Sequence, residues 1–159
     1  MASYRRLHFA THAFFDESTP EQSGIVLSPA NNDDDGILRV NDIAEMKLNA
    51  ELVVLSACQT GLGKLVRGEG VEGLTRAFLF AGARQVAVSL WNVSDVATAD
   101  FMKAFYREMK GGANPTVALR SAKLGMLRSG VAAYRNPFYW AGFVVVGFGK
   151  SALSESRAR

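Results

Sequence analysis

Apolar positions along this chain gather into short blocks set apart by polar or glycine-rich stretches, and the blocks carry two different periods. Arg5 to Ala10 predicts a first strand, and the run Leu7-His8-Phe9-Ala10-Thr11-His12 sets His12 at its carboxyl end. Residues 16–24 are polar and turn-rich, with Pro20 and Gly24. Ile25–Ser28 and Ile37–Val40 flank Asn31-Asn-Asp-Asp-Asp-Gly36, which predicts a small antiparallel hairpin with a solvated tip at Asp33–Asp35. Asn41 or Asp42 caps a short helix ending near Lys47. Leu52 to Leu55 is apolar at every position, as a strand buried on both faces requires.

Beyond the glycine-rich stretch Gly61–Gly70 the helical period takes over. Val71, Leu74, Phe78 and Ala81 fall on one side of a helix that Gly82 stops. Gln85–Leu90 predicts the next strand, and Ser94 or Asp95 opens a long helix with Met102, Phe105, Tyr106 and Met109 on one face. Asn114-Pro115 pairs a cap with a proline in the first turn, starting a helix that runs to about Arg128. Asn136-Pro137 marks a turn before a last strand over Phe143–Val146. The segment after Lys150 has no apolar pattern and is expected to be a disordered tail over 150–159. Strands alternating with helices predict an α/β domain built on a mostly parallel sheet with helices on its faces.

Composition narrows the function classes. With 159 residues, a hydrophobic fraction of 48% and a charged fraction of 21%, the chain can bury the core of one globular domain. Its net charge of +3 is spread along the sequence, with no basic cluster of the kind nucleic acid requires. No apolar run reaches the length of a membrane span, and the first residues lack a signal-peptide core. A single cysteine makes no intrachain disulfide, which fits a reducing, cytoplasmic setting.

That cysteine is the most informative residue. Open α/β sheets hold their sites beyond the carboxyl ends of the strands, and three such ends carry suggestive residues: His12, Cys58 and Trp91-Asn-Val-Ser-Asp95. A thiol becomes a nucleophile as its thiolate, and a neighbouring imidazole favours that state or takes the proton during attack. Cys58 follows His12 by 46 positions, close to the separation of about 50 in caspases, where Gln-Ala-Cys-x-Gly surrounds the nucleophile; here the string is Ser56-Ala-Cys-Gln-Thr-Gly61. The oxyanion of a tetrahedral intermediate needs backbone N–H donors, for which Ala13 and Cys58 are the candidates. Taken singly these residues have plain readings. A cysteine in an apolar strand is ordinarily a small buried hydrophobe, and His8 reads as structural. Asp95 reads as a helix cap or first-turn acid, and Trp91, Tyr139 and Trp140 as core or pocket wall. Two other chemistries fail. A Cys-x5-Arg phosphate loop needs arginine where Lys64 stands, and Gly61–Gly70 lacks the Gly-Lys-Ser/Thr of a nucleotide loop. Three adjacent acids at the hairpin tip make no metal site, so neither metal nor cofactor is expected.

Five stretches, in order, resemble the CHAT domain, a caspase-like domain related to separase: His8-Phe-Ala-Thr-His-Ala13, Leu52-Val-Val-Leu-Ser-Ala-Cys-Gln-Thr-Gly-Leu-Gly63, Gly68–Phe78, Ala87-Val-Ser-Leu-Trp-Asn-Val-Ser-Asp95 and Pro137-Phe-Tyr-Trp-Ala-Gly-Phe143. The resemblance covers residues 7–149. It implies a caspase-like three-layer sandwich and a cysteine endopeptidase with His12 and Cys58 as its dyad. It further implies an oxyanion hole from the N–H groups near Ala13 and Cys58, and substrate contacts at Trp91 and at Asp95, the latter facing a basic side chain before the cut. Many caspase-like enzymes have glycine after the histidine, where this chain has Ala13. The family's usual first strands precede the histidine strand, so the resemblance implies a domain over 5–149 that is incomplete at its amino-terminal side, with an open sheet edge. The expected partners are a protein or peptide substrate, a tetratricopeptide-repeat region or partner chain, and a second copy through that edge. The alternative implied is a latent module that binds a partner rather than cutting it.

Overall fold

The computed structural model describes residues 4–16, 18–31, 34–56, 58–59 and 69–149, leaving aside the side chains of residues 58, 59, 69 and 70. The expected tail over 150–159, most of the glycine-rich stretch and Asp33 at the hairpin tip lie outside the described residues.

The main sheet has the order β1 (Arg6–Phe9), β5 (Leu52–Leu55), β7 (Gln85–Ser89), β8 (Phe143–Gly147). Its first three strands are parallel and β8 runs antiparallel to β7. All four residues of β5 are buried, because the strand lies mid-sheet with helices over both faces. On one face Phe9, Val53, Leu55, Val86 and Val88 pack with Ile43 of α1 (Val40–Glu45) and with Leu74, Ala77 and Phe78 of α2 (Glu69–Phe80). On the other face Leu52, Val54 and Ala87 meet Phe101 and Phe105 of α3 (Asp95–Lys110) and Ala118 and Ala122 of α4 (Pro115–Arg128). The alternation of odd and even positions along the strands sorts these two cores. The architecture is mixed α/β with a mostly parallel sheet between two helical layers, compatible with a caspase-like fold.

Local chemistry explains most element boundaries. Ser94 accepts from the Ala97 N–H and Asn114 from the Val117 N–H, so both long helices begin at their expected caps. Asp42 sits inside α1 and reaches back to the Arg39 N–H at 3.0 Å; the helix therefore starts at Val40, earlier than a cap at Asn41 or Asp42 predicts. Gly82 takes φ +108° where a Cβ would lie 2.3 Å from the Leu48 carbonyl oxygen, so the end of α2 tolerates glycine alone.

The first strand departs from expectation. It ends at Phe9, and after Ala10 and Thr11 the chain enters a different strand, β2 (His12–Phe14). β2 belongs to a small second sheet of order β4 (Ile37–Arg39), β3 (Gly24–Val26), β2, β6 (Cys58–Gln59). The expected hairpin is present as β3 against β4, with Ile25 opposite Leu38, and β2 adds to its other edge. Thr11 fastens the crossing between sheets by donating its hydroxyl to the Val26 carbonyl at 2.7 Å. Residue pattern alone cannot show this break, since no glycine or proline separates β1 from β2.

Candidate functional site

The pairing register positions the candidate residues. β1 and β5 run parallel with Arg6 beside Leu52 and Phe9 beside Leu55. Both strands then leave the main sheet and, three residues on, pair again as β2 and β6, with His12 beside Cys58 and Ala13 beside Gln59. The offset between the two segments is unchanged across the crossing. Neighbouring strands lie about 4.8 Å apart, so the backbone holds residues 12 and 58 next to each other at the carboxyl end of the fold. The Cys58 thiol itself lies outside the described side chains. His12 is exposed and Ala13 buried. No described residue other than glycine has positive φ, so the methyl group of Ala13 rests on ordinary backbone. Just beyond β2, the Asp16 carboxylate accepts from the Ser18 N–H, the Ser18 hydroxyl and the Thr19 N–H. These bonds pull its pKa to about 2 and fold the following loop back on itself.

His8 lies in β1, four residues before His12, and its surroundings are quite different. One imidazole nitrogen, Nε2, is 2.7 Å from the Ser56 hydroxyl, and Nδ1 is 3.0 Å from the Tyr106 hydroxyl of α3. Burial holds the pKa of this imidazole below its ordinary value and raises that of Tyr106. The chain of three side chains ties α3 to the end of β5, two residues ahead of Cys58. The strand pattern marked His8 as structural, but it carried no sign of Ser56 or Tyr106 as partners; Tyr106 read simply as a core position on a helix face.

Trp91 follows β7 and is held on three sides. Its indole N–H donates to the Phe138 carbonyl at 2.8 Å, and its ring stacks on Phe138 with centroids 6.4 Å apart. Gly142 leaves room for the ring: a Cβ there would stand 2.7 Å from it. Ser89 donates its hydroxyl to the Trp91 carbonyl at 2.6 Å. Trp91 and Ser89 line two clefts. The larger, about 370 Å³ and open to solvent, is otherwise apolar and includes Ala13, Leu55, Val71, Leu74 and Val88. The smaller, about 190 Å³, includes Ser56, Asn92 and Thr98. Asp95 is exposed in the first turn of α3, beside the Ser94 cap, and lines neither cleft. Among the described residues no group of three or more His, Cys, Asp or Glu side chains converges on a metal position, and no helix is long and apolar enough to cross a membrane.

The geometry brings His12, Cys58 and Ala13 together in one small sheet, with Trp91 at the edge of a cleft that Ala13 also lines. Such an arrangement can set an imidazole beside a thiol with backbone N–H groups close by. Comparison with known proteins bears on the family of the chain. The chain is 38% identical over 111 residues to tetratricopeptide repeat protein 28 of Mus musculus and 40% identical over 111 residues to its Homo sapiens counterpart. Each match takes in 70% of this chain, which spans about 4% of the length of these relatives. The family profile of the CHAT domain matches residues 1–148, and the chain belongs to the CHAT domain family.

Proposed function

We propose that this chain is a cysteine endopeptidase module in which Cys58 is the nucleophile and His12 the general base. The observation that carries this reading is the parallel pairing of His12 with Cys58 at the carboxyl end of the fold. His12 takes the thiol proton, and the thiolate sulfur attacks the peptide carbonyl carbon. The N–H groups of Ala13 and Cys58 are the proposed donors to the resulting oxyanion. As the carbon–nitrogen bond breaks, His12 returns the proton to the leaving amine, and the acyl group stays on sulfur. Water then attacks the thioester, giving up a proton to His12, and releases the carboxylic acid and the free thiol. Asp95 is proposed to face a basic side chain ahead of the cut, and Trp91 to shape the substrate path. Neither metal nor cofactor takes part in this scheme.

Alkylation of Cys58 by iodoacetamide, followed from about pH 5 to 9, tests the reading without a known substrate. Reaction well below the ordinary thiol pKa of about 8.5, lost in His12→Ala, is the expected result. A slow rate unchanged by that substitution would overturn the dyad. Once a substrate is in hand, Cys58→Ala should leave it uncut, and equal cleavage after Arg and after Asp would remove Asp95 from the scheme.

A second reading rests on the relatives, whose printed name is that of tetratricopeptide repeat proteins. In it the domain binds a repeat region or a partner chain, or pairs with a second copy through the free edge of β1. A Cys58→Ala variant that keeps full partner binding would favour this role.

A further inference from the structure

The two clefts flanking Trp91 differ in chemistry in a way that the dyad does not explain. The larger lies on the α2 side of the main sheet, floored by Leu55 and Val88 and walled by Val71 and Leu74. The smaller lies on the α3 side, where Asn92 and Thr98 offer polar groups beside Ser56, whose hydroxyl is bonded to His8. Ser89 touches the larger cleft, but its hydroxyl is already committed to the Trp91 carbonyl. No described residue lining the larger cleft is charged. Ala13, the residue after His12, forms part of its wall, so the cleft opens directly beside the paired strands β2 and β6.

From this we infer that the larger cleft is a specificity site for one apolar side chain of the substrate, of leucine, methionine or phenylalanine size. This inference rests on the peptidase reading. Its short apolar lining and open mouth suit one side chain rather than a cofactor. A charged side chain entering it would lose its water and find no partner, whereas an apolar one gains by leaving water. A peptide crossing the carboxyl ends of the strands in extended form turns successive side chains to opposite sides. Trp91, held by Phe138 and Gly142, divides those sides. One substrate side chain therefore enters the apolar cleft on the α2 side, and the adjacent one falls on the α3 side of Trp91, where Ser56 and Thr98 lie and α3 begins.

The test reads the cleft apart from catalysis. In the 159-residue chain carrying Cys58→Ala, with labelled leucine and valine methyl groups, N-acetyl-leucine methylamide is titrated and compared with N-acetyl-arginine methylamide. Saturable shifts at Leu55, Val71, Leu74 and Val88 with the leucine compound alone are expected. Val71→Trp, on a half-exposed helix position, should remove them while leaving the melting temperature in place. Equal response to both compounds, or shifts that lie elsewhere, would overturn the inference. So would shifts of these methyls on raising protein concentration alone, which would mean that a second copy fills the cleft. In the Cys58-containing chain, peptide ketones with leucine at the position served by this cleft should alkylate Cys58 about tenfold faster or more than those with arginine; equal rates would count against it. Failure of the peptidase reading has its own mark, an iodoacetamide rate indifferent to His12→Ala, and leaves the methyl titration free to succeed or fail by itself.

Discussion

The main sheet and the small sheet are crossed by the same two stretches of chain, residues 6–14 and 52–59, but they differ in how their other strands are covered. In the main sheet β5 is wholly buried and β7 nearly so, with a helical layer on either side. In the small sheet β4 is only half-buried and β2 begins on an exposed residue. The two histidines of the first stretch are both exposed and differ instead in what holds them. His8 is locked between Ser56 and Tyr106, with its proton affinity lowered by burial. His12 stands in the open, beside Cys58 in the backbone pairing. The main sheet sets the direction of the strands, and the small sheet pairs them again with His12 exposed.

The division can be broken from the side of the core first. Phe78 is fully buried, with its ring 5.5 Å from Phe9, and Phe78→Ala should cost about 3–5 kcal/mol in urea unfolding, lowering both sheets together. If the small sheet lost structure well before the main one, the two would be independent units. Next in size is Gly142→Ala, which drives a methyl group into the Trp91 ring. A loss of about 1–3 kcal/mol is expected, with a shift in tryptophan emission that marks the displaced wall between the clefts. Thr11→Val removes the hydroxyl bond that fastens the crossing and should cost about 1 kcal/mol or less. Its sharper signature is a slower alkylation of Cys58 at unchanged global fold; a rate equal to wild type would mean that β2 keeps its place without this bond.

The smallest effect belongs to His8. The unfolded chain binds a proton on this imidazole at about pH 6.5, while the folded state resists until lower pH. The unfolded state therefore holds more protons between those two values, and stability falls as the pH drops below about 6.5, levelling off under the folded pKa. Thermal melts of wild type and His8→Gln across about pH 5 to 8 should converge in slope above that window and diverge within it. Parallel curves throughout would show that burial of His8 does not reach the stability of the fold.

Much of the frame could be read from residue order. The alternation of fully apolar blocks with helical periods gave the α/β class, and the caps at Ser94 and Asn114 fell where side-chain oxygens meet free N–H groups. The five CHAT-like stretches pointed to the family that the profile match establishes. What could not be read has a common cause. The break between β1 and β2 depends on which sheet accepts each half of residues 6–14, a choice made by partners distant in sequence such as Ile25 and Cys58. The bonds of His8 depend on a helix almost a hundred residues away. The two clefts exist only once α2 and α3 have settled on opposite faces, so neither their apolar and polar characters nor the position of Trp91 between them is marked by any spacing.

The shared offset of the two crossings has a bearing on how this domain tolerates change. His12 and Cys58 keep the separation already set by Arg6 and Leu52, so their alignment is inherited from the buried sheet and owes nothing to the length of chain between Phe14 and Leu52. The loops within that intervening stretch can change length while the pair stays in register, whereas β3 beside β2 and Ile43 of α1 in the core hold their places. The two short links, Ala10-Thr11 and Ser56-Ala57, have no such freedom. One residue added to either would turn one partner to the opposite side of the small sheet, and variation in this family should therefore collect between the links and spare them.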